Sequence, residues 1–491
     1  MVETEANRST TPGGNDRRSR LLVAGLSIVV LTVAVLQTAV VPVLGIIADQ
    51  LRASDVGVSW AVTANLLAAI AATPLIGRLA DLHPKKPVLL SVLVVVLIGS
   101  VLAATTTSLP LLIFARVLQA ASYALYPIGI AILREELPED RLMSAMAVLS
   151  GTLGFGGGSG LVVVGLLMSG DAGYHRVFWL TTGFTAVVIL IAVFVVPRRP
   201  RSVTGTIDWI GALGLAAGLS AVLLALTQGQ SWGWVSPATL GCAAGGVLVL
   251  VGWWMWEKRA KQPLVSTEML KRRPILLTNL ATVFVGVGLY FAFLGLTQFV
   301  QIPREAAGYG FGATVLEASV VFLLPGVFVG FLIALFSGRF IDRFGARPVL
   351  VVAAIAGIIG FLFIAFAHSL TWQVIVAGIL TNAYISLGYG ALPALVVAEV
   401  GADETGVATS MNAIARTIGS STAAALVAVL LSRVVEGTDV PMESSFFVIF
   451  LGGAVTAALA MVLIAISKVG TPEPESVEAR YESRAMNHEW G

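Results

Sequence analysis

The sequence predicts an all-α membrane protein of fourteen transmembrane helices, built as two pseudo-symmetric six-helix bundles with two helices inserted between them. Three observations predict it. Of 491 residues, 57% are hydrophobic and only 12% charged, about half the charged share of a soluble domain, and mean hydropathy is +0.91. Apolar runs of roughly 20 residues, the length that crosses about 30 Å of hydrocarbon, follow one another along the chain. A thirteen-residue loop recurs at an offset of 261. This pattern excludes a water-soluble enzyme, a disordered chain and a disulfide-stapled secreted domain. The apolar runs are continuous rather than alternating, which excludes a β-barrel.

In chain order the spans fall at 21–48, 57–80, 88–107, 109–133, 142–169, 177–196, 208–228, 235–256, 274–299, 314–338, 348–368, 371–399, 405–432 and 445–467. The first follows Arg17, Arg18 and Arg20, as a secretory signal would. Its apolar run is about twice as long as a signal's, however, and no small-x-small site follows, so it reads as a helix. The third and fourth are parted only by the short stretch from Thr106 to Pro110. Residues 21–197 form an N-terminal bundle, 208–256 two linker helices and 274–467 a C-terminal bundle. The polar ends, 1–20 and 468–491, are expected to be disordered tails.

Charge orients the spans. With a cytoplasmic N-terminus, 24 of the 30 basic residues fall inside. Four fall outside (Arg52, Arg176, Arg304, Arg433), and Arg116 and Arg416 lie within spans. The positive-inside rule therefore puts both termini in the cytoplasm. Trp60, Trp179, Trp209, Trp232, Trp234, Trp253, Trp254, Trp256 and Trp372 sit near span ends, where amphipathic rings favour the interface. Abundant Ala, Val, Gly and Arg with only six lysines suggests a GC-rich bacterium, hence a multi-pass protein of the inner membrane.

Several partners are excluded as expectations. A net charge of +2 is too small for nucleic acid, and Cys242 has no second cysteine to pair with. His83, His175, His368 and His488 are scattered without metal-ligand spacing, so no metal is expected. There is no Gly-x-x-x-x-Gly-Lys loop for a nucleotide, and no paired carboxylates or nucleophile–base set for an enzyme. The expectation is a cofactor-free monomer in the lipid bilayer acting on a small molecule.

The repeat is specific. After the second span the chain reads Gly77-Arg-Leu-Ala-Asp81-Leu-His-Pro-Lys-Lys86-Pro-Val-Leu89. After the tenth it reads Gly338-Arg-Phe-Ile-Asp342-Arg-Phe-Gly-Ala-Arg347-Pro-Val-Leu350. Six of the thirteen positions are identical, and Lys86 matches Arg347 in charge. A second echo aligns Met146 to Gly154 with Met411 to Gly419. Repeated halves around a midplane cavity are the architecture of secondary transporters.

These motifs resemble the major facilitator superfamily, and within it the fourteen-helix drug:proton antiporters. The resemblance covers residues 20–467. It is carried by the two Gly-x-x-x-Asp loops, Arg116-Val-Leu-Gln119, Asp208-Trp-Ile-Gly211, Trp232-Gly-Trp234, Gly406-Val-Ala408, Asn412, Arg416 and Gly419. It implies multidrug-type efflux by alternating access with proton coupling, and a gate at the loops; the alternatives are a lipid or metabolite exporter or a uniporter without the usual proton coupling, or a non-transporting membrane sensor or scaffold. Gly77 and Gly338 would let helices approach closely. Asp81 and Asp342 would latch onto helix N-termini or onto basic residues such as Arg134 and Arg141. The plainer reading makes Lys85, Lys86 and Arg347 topology determinants only.

The chain departs from the family pattern at informative places. Pro84 stands where a glycine is usual, and Leu161 and Val164 replace the proline and a glycine expected of the fifth span's antiporter motif. That span still holds a glycine stripe suited to close packing. Gln37 stands where related antiporters carry an intramembrane Asp. Arg116 costs at least about 2.5–3.5 kcal/mol in a span, so it is expected to face a polar cavity at the depth of Gln37. None of the 28 acidic residues falls near the midplane of the first six spans; Asp49, Glu317 and Glu399 lie at span ends. An anionic or neutral substrate therefore fits better than a lipophilic cation. Further candidate cavity residues are Asn65, Gln119, Tyr123, Tyr126, Tyr290, Gln298, Asn382, Tyr384 and Asn412. Arg416, near mid-depth in the thirteenth span, is expected to serve helix packing.

Overall fold

The computed structural model describes residues 12–40, 43–168, 173–199, 205–401, 404–435, 438 and 440–467. Long helices α1 (Pro12–Thr38), α2 (Asp55–Leu82), α3 (Lys85–Thr105), α4 (Leu109–Glu136), α5 (Glu139–Leu167), α6 (His175–Val195) and α7 (Trp209–Trp232) fill its first half. The second holds α8 (Pro237–Glu257), α9 (Arg273–Gln301), α10 (Leu324–Phe344), α11 (Ala346–Phe366), α12 (Thr371–Ala398), α13 (Thr405–Leu431) and α14 (Glu443–Ile466). Among the described residues, thirteen helices are long and apolar enough to cross a membrane; α5, the fourteenth, is 29 residues long. With an even number of crossings, α1 begins and α14 ends at the same end of the bundle, the end that the basic residues of the sequence assign to the inside.

Local chemistry sets the boundaries. The Gly57 amide donates to Ser54 Oγ ahead of α2, and the Gly211 amide to Asp208 ahead of α7. Each side chain thereby satisfies an orphan donor of the first turn. At the narrow gap between α3 and α4 the Ser108 amide donates to Thr106 Oγ1 at 3.1 Å, and Pro110 occupies the first turn of α4. The break expected from Thr106 to Pro110 is therefore present.

Three expectations need correction. α1 begins at Pro12, so residues 12–20 belong to a helix rather than a tail; 1–11 and 468–491 lie outside the described residues. α1 stops at Thr38 instead of 48, and a separate helix, Leu44–Leu51, follows. The sequence has Pro42 between the two, a residue without the amide a continuous helix needs. The fourth and tenth spans are not uniform α-helices either. α4 tightens to a 3-10 turn at Ala120–Ala124, just ahead of Pro127, and α10 is entered through a π turn at Ala318–Leu323, just ahead of Pro325.

The helix contacts repeat by halves. In the first half α1 packs on α5 and α6, α3 on α4 and α6, and α2 on α4; in the second, α9 packs on α13 and α14, α11 on α12 and α14, and α10 on α12. The seam between the halves obeys the same two-fold relation: α5 meets α10 and α12, while α13 meets α2 and α4. α7 lies across that seam against α2 and α13, and α8 packs mainly on α7. The linker helices thus lie outside the two six-helix contact sets.

Candidate functional site

At the end of the bundle where α1 begins and α14 ends, the halves are pinned together around α13. Asp81, at the end of α2 and 1% exposed, accepts hydrogen bonds from the Gly406 and Val407 amides, both at 2.9 Å. Those amides are orphans of α13's first turn, where the helix dipole also favours a carboxylate. Gly77, one turn earlier, makes the approach possible: a Cβ there would lie 2.8 Å from the Gly406 carbonyl oxygen. From α4, Arg134 donates to Thr405 Oγ1 at 2.7 Å and to the Val400 and Gly401 carbonyls. On the symmetry-related seam Gly338 presses against Ser144 of α5 so closely that a Cβ would overlap it. The Asp342 side chain lies outside the described residues. Lys86 crosses no seam; it donates to the Val193 and Val196 carbonyls at the end of α6, within its own half. Arg347 is half-buried at the start of α11.

Mid-depth, the two intramembrane arginines have opposite surroundings. Arg116 is 2% exposed and enclosed by protein. It donates to the Leu36 carbonyl at 3.1 Å, the Ala61 carbonyl at 3.2 Å and Gln119 Oε1 at 2.7 Å. Gln119 in turn donates to Ser100, and Asn65 to the Arg116 carbonyl. These groups tie α1, α2, α3 and α4 together, and the expectation that Arg116 faces a cavity is overturned. Backbone carbonyls of α1 and α2 and the Gln119 amide oxygen supply the acceptors that a carboxylate would have supplied.

Arg416, assigned to packing by the sequence, instead holds its guanidinium 4.5 Å from the Tyr389 ring centroid and 5.5 Å from that of Tyr126. The two rings come from α12 and α4, one from each half. The Tyr126 hydroxyl shares a hydrogen bond of 2.6 Å with Ser150 Oγ and lies 3.4 Å from the Tyr389 carbonyl oxygen. That carbonyl is available because the residue four positions on is Pro393, which has no amide to donate to it. Tyr123, on the 3-10 turn of α4, bonds Gln37 and lies within electrostatic reach of Tyr290 and Arg416. Among the described residues, the groups acting on Tyr123, Tyr126 and Tyr389 are tyrosines, arginines, Gln37 and Ser150, with no carboxylate among them. The result is a cluster of aromatic faces at the junction of both halves, with Arg416 against two rings and Arg116 within electrostatic reach of Tyr123.

The remaining candidates separate from this cluster. Asn412 donates to Asn279 at 2.9 Å and Thr282 at 2.8 Å, pinning α13 to α9. Asn382 donates to the Gly378 carbonyl of its own helix, and Tyr384 is buried against Gly357 of α11, so both serve the C-terminal bundle. Gln298 is exposed near the far end of α9. The fifth span's glycines pack on two sides: Gly151 against Ala334 of α10, and Gly156 and Gly160 against α1. Phe155 meets Phe331 across the same seam at 4.6 Å. Sequence reasoning missed Tyr389. The signal available was its position on α12, the repeat partner of the helix that carries Tyr126.

Comparisons with known proteins agree with this geometry. A family model described as Major Facilitator Superfamily matches residues 26–424 and 302–486. Relatives include the uridine/deoxyuridine transporter of Lactococcus lactis, 30% identical over 58% of this chain and 59% of that protein. Multidrug resistance protein 3 of Bacillus subtilis is 24% identical over 82% of this chain and 77% of its own length. The tetracenomycin C resistance and export protein of Streptomyces glaucescens is 27% identical over 79% and 71%. Among solved structures, the human organic anion transporter MFSD10 shares the fold at a TM-score of 0.63 and 16% identity, covering 93% of this chain and all of that one.

Proposed function

This chain belongs to the major facilitator superfamily, and from that premise we propose that it exports small, flat, neutral or anionic amphipathic compounds by alternating access. The observation that carries the reading is the Arg416 guanidinium held against Tyr126 and Tyr389, with no carboxylate among the described residues acting on the cluster. A site of π-faces and fixed positive charge favours planar groups with negative or neutral polar edges and repels lipophilic cations. The relatives named for multidrug resistance and for tetracenomycin export support efflux. The inner end is the cytoplasmic end by its basic residues, in a bacterial inner membrane. Its latch, Asp81 on α13, holds the transporter closed to the cytoplasm.

Proton coupling belongs to the same proposal. With glutamine at position 37, Asp81 is the carboxylate that joins the two halves, and protonating it would weaken both bonds to α13. Reconstitution in liposomes tests the whole reading. Uptake of an anionic planar dye driven by an imposed pH gradient, lost in Arg416→Gln and unaffected by lipophilic cations, is the expected outcome. Transport of cations with Arg416→Gln unimpaired would sink it. A second reading, nucleoside transport, is favoured by the uridine/deoxyuridine transporter relative and by tyrosine faces of a kind that nucleobases stack on; labelled uridine in the same assay separates the two.

A further inference from the structure

Beside the cluster, on the outer flank of the C-terminal half, α7, α8, α9 and α13 enclose an apolar groove of about 270 Å³. Its walls are Leu219, Trp254, Leu280, Val283, Met411 and Ile414, with Asn279 as a polar member. Asn279 Oδ1 is already occupied, accepting from Asn412. The groove therefore offers hydrocarbon-like surface at membrane depth, suited to a chain of methylenes.

Its inner mouth is basic, and two lysines there share one tryptophan. Lys258, just past the end of α8, lies 5.9 Å from the Trp254 ring centroid; Lys271, from the short helix Thr267–Lys271, lies 5.7 Å from the same centroid. Trp254 is at once a wall of the groove and the ring beside which both ammonium groups lie. Both lysines are exposed, and Arg272 and Arg273 follow directly. Two cations beside one interfacial tryptophan at the mouth of an apolar slot form the complement of one molecule type. Its phosphate lies level with the interface, and its acyl chain runs inward.

We propose that this groove holds one anionic phospholipid, its phosphate between Lys258 and Lys271 and an acyl chain along α13. The lipid would brace the linker hairpin against the helix that carries Arg416 and receives the Asp81 latch. Met411, Ile414, Ala415 and Ile418 of α13 line the slot, so its occupancy bears on the same element that the gate holds. The inference stands on the groove and its mouth, independently of which substrate is carried.

Native mass spectrometry of the full chain, stripped of lipid and titrated with phosphatidylglycerol or phosphatidylcholine of identical acyl chains, tests it. One phosphatidylglycerol per protein is expected, retained at least about tenfold better than phosphatidylcholine. That preference should disappear in Lys258→Gln/Lys271→Gln and persist in Lys258→Arg/Lys271→Arg. Leu280→Trp, which fills the slot, should abolish retention of both lipids. The elution profile in detergent is the check that each variant is folded, and the Arg pair keeps the test open should the Gln pair fail that check. Equal retention of the two lipids, an unchanged preference in the Gln pair, or full competition by glycerol 1-phosphate without acyl chains would each overturn the proposal.

Discussion

Two arginines at comparable depth show how surroundings divide one chemistry into two roles. Arg116 donates to two main-chain carbonyls and one amide oxygen within a shell that leaves it 2% exposed. Arg416 donates to none of these and rests on tyrosine faces. Arg116→Leu should therefore act on stability: buried acceptors left without a donor cost about 1–3 kcal/mol each. The expected readout is a lowered thermal midpoint and poor expression. Arg416→Gln should leave the melting curve within a few degrees of the parent while transport falls at least about tenfold; a parallel loss of stability would assign Arg416 to packing after all. Both arginines were visible in the sequence as charges inside spans. Which of them meets a cavity was not, because that depends on where carbonyls from α1 and α2 end up in space.

At the scale of elements, α13 is the member on which the inner latch, the aromatic cluster and the lipid groove converge. Its first-turn amides are held by Asp81, its middle carries Arg416, and its outer face lines the groove. Asp81→Asn keeps the shape but removes the charge from two charge-assisted bonds, worth about 1.5–3 kcal/mol together with the dipole contribution. The closed inner end should yield, raising the labelling rate of a cysteine introduced at Ser410 about tenfold; an unchanged rate would refute the latch. Pro393 tests the other element-level claim. In Pro393→Ala the new amide competes for the Tyr389 carbonyl, so α12 straightens and Tyr126 loses an acceptor. A raised melting temperature with slowed transport is expected. Helix type and extent were legible from apolar runs, but the 3-10 and π turns ahead of Pro127 and Pro325 were not assigned, since a proline reports a missing bond without saying how the chain relaxes around it.

For the molecule as a whole, the alternating access proposed above would make the seam between the repeated halves the moving part. α5 with α10 and α13 with α2 are equivalent by the two-fold relation, so rocking about one exchanges contacts at the other. If protons drive this through Asp81, collapsing the pH gradient across a proteoliposome should stop uphill substrate movement while leaving downhill exchange intact. Export that persists uphill without a gradient would remove the proton from the cycle.

By itself the sequence determined the membrane class, the fourteen helices to within a few residues for most, and the two-fold repeat. It also marked the Gly77 and Asp81 loop as a contact point. Those follow from local quantities: the length of an apolar run, the position of a cap, an offset between similar loops. Only the tertiary structure decided that Arg116 is enclosed, that Arg416 and Tyr389 join the aromatic cluster, that α1 breaks after Thr38, and that Gln298 stands apart. Each of these depends on the rotation of one helix about its own axis relative to its neighbours. That rotation is fixed by packing among helices whose surroundings are apolar on every side, where the hydrophobic pattern of a single span carries little directional information.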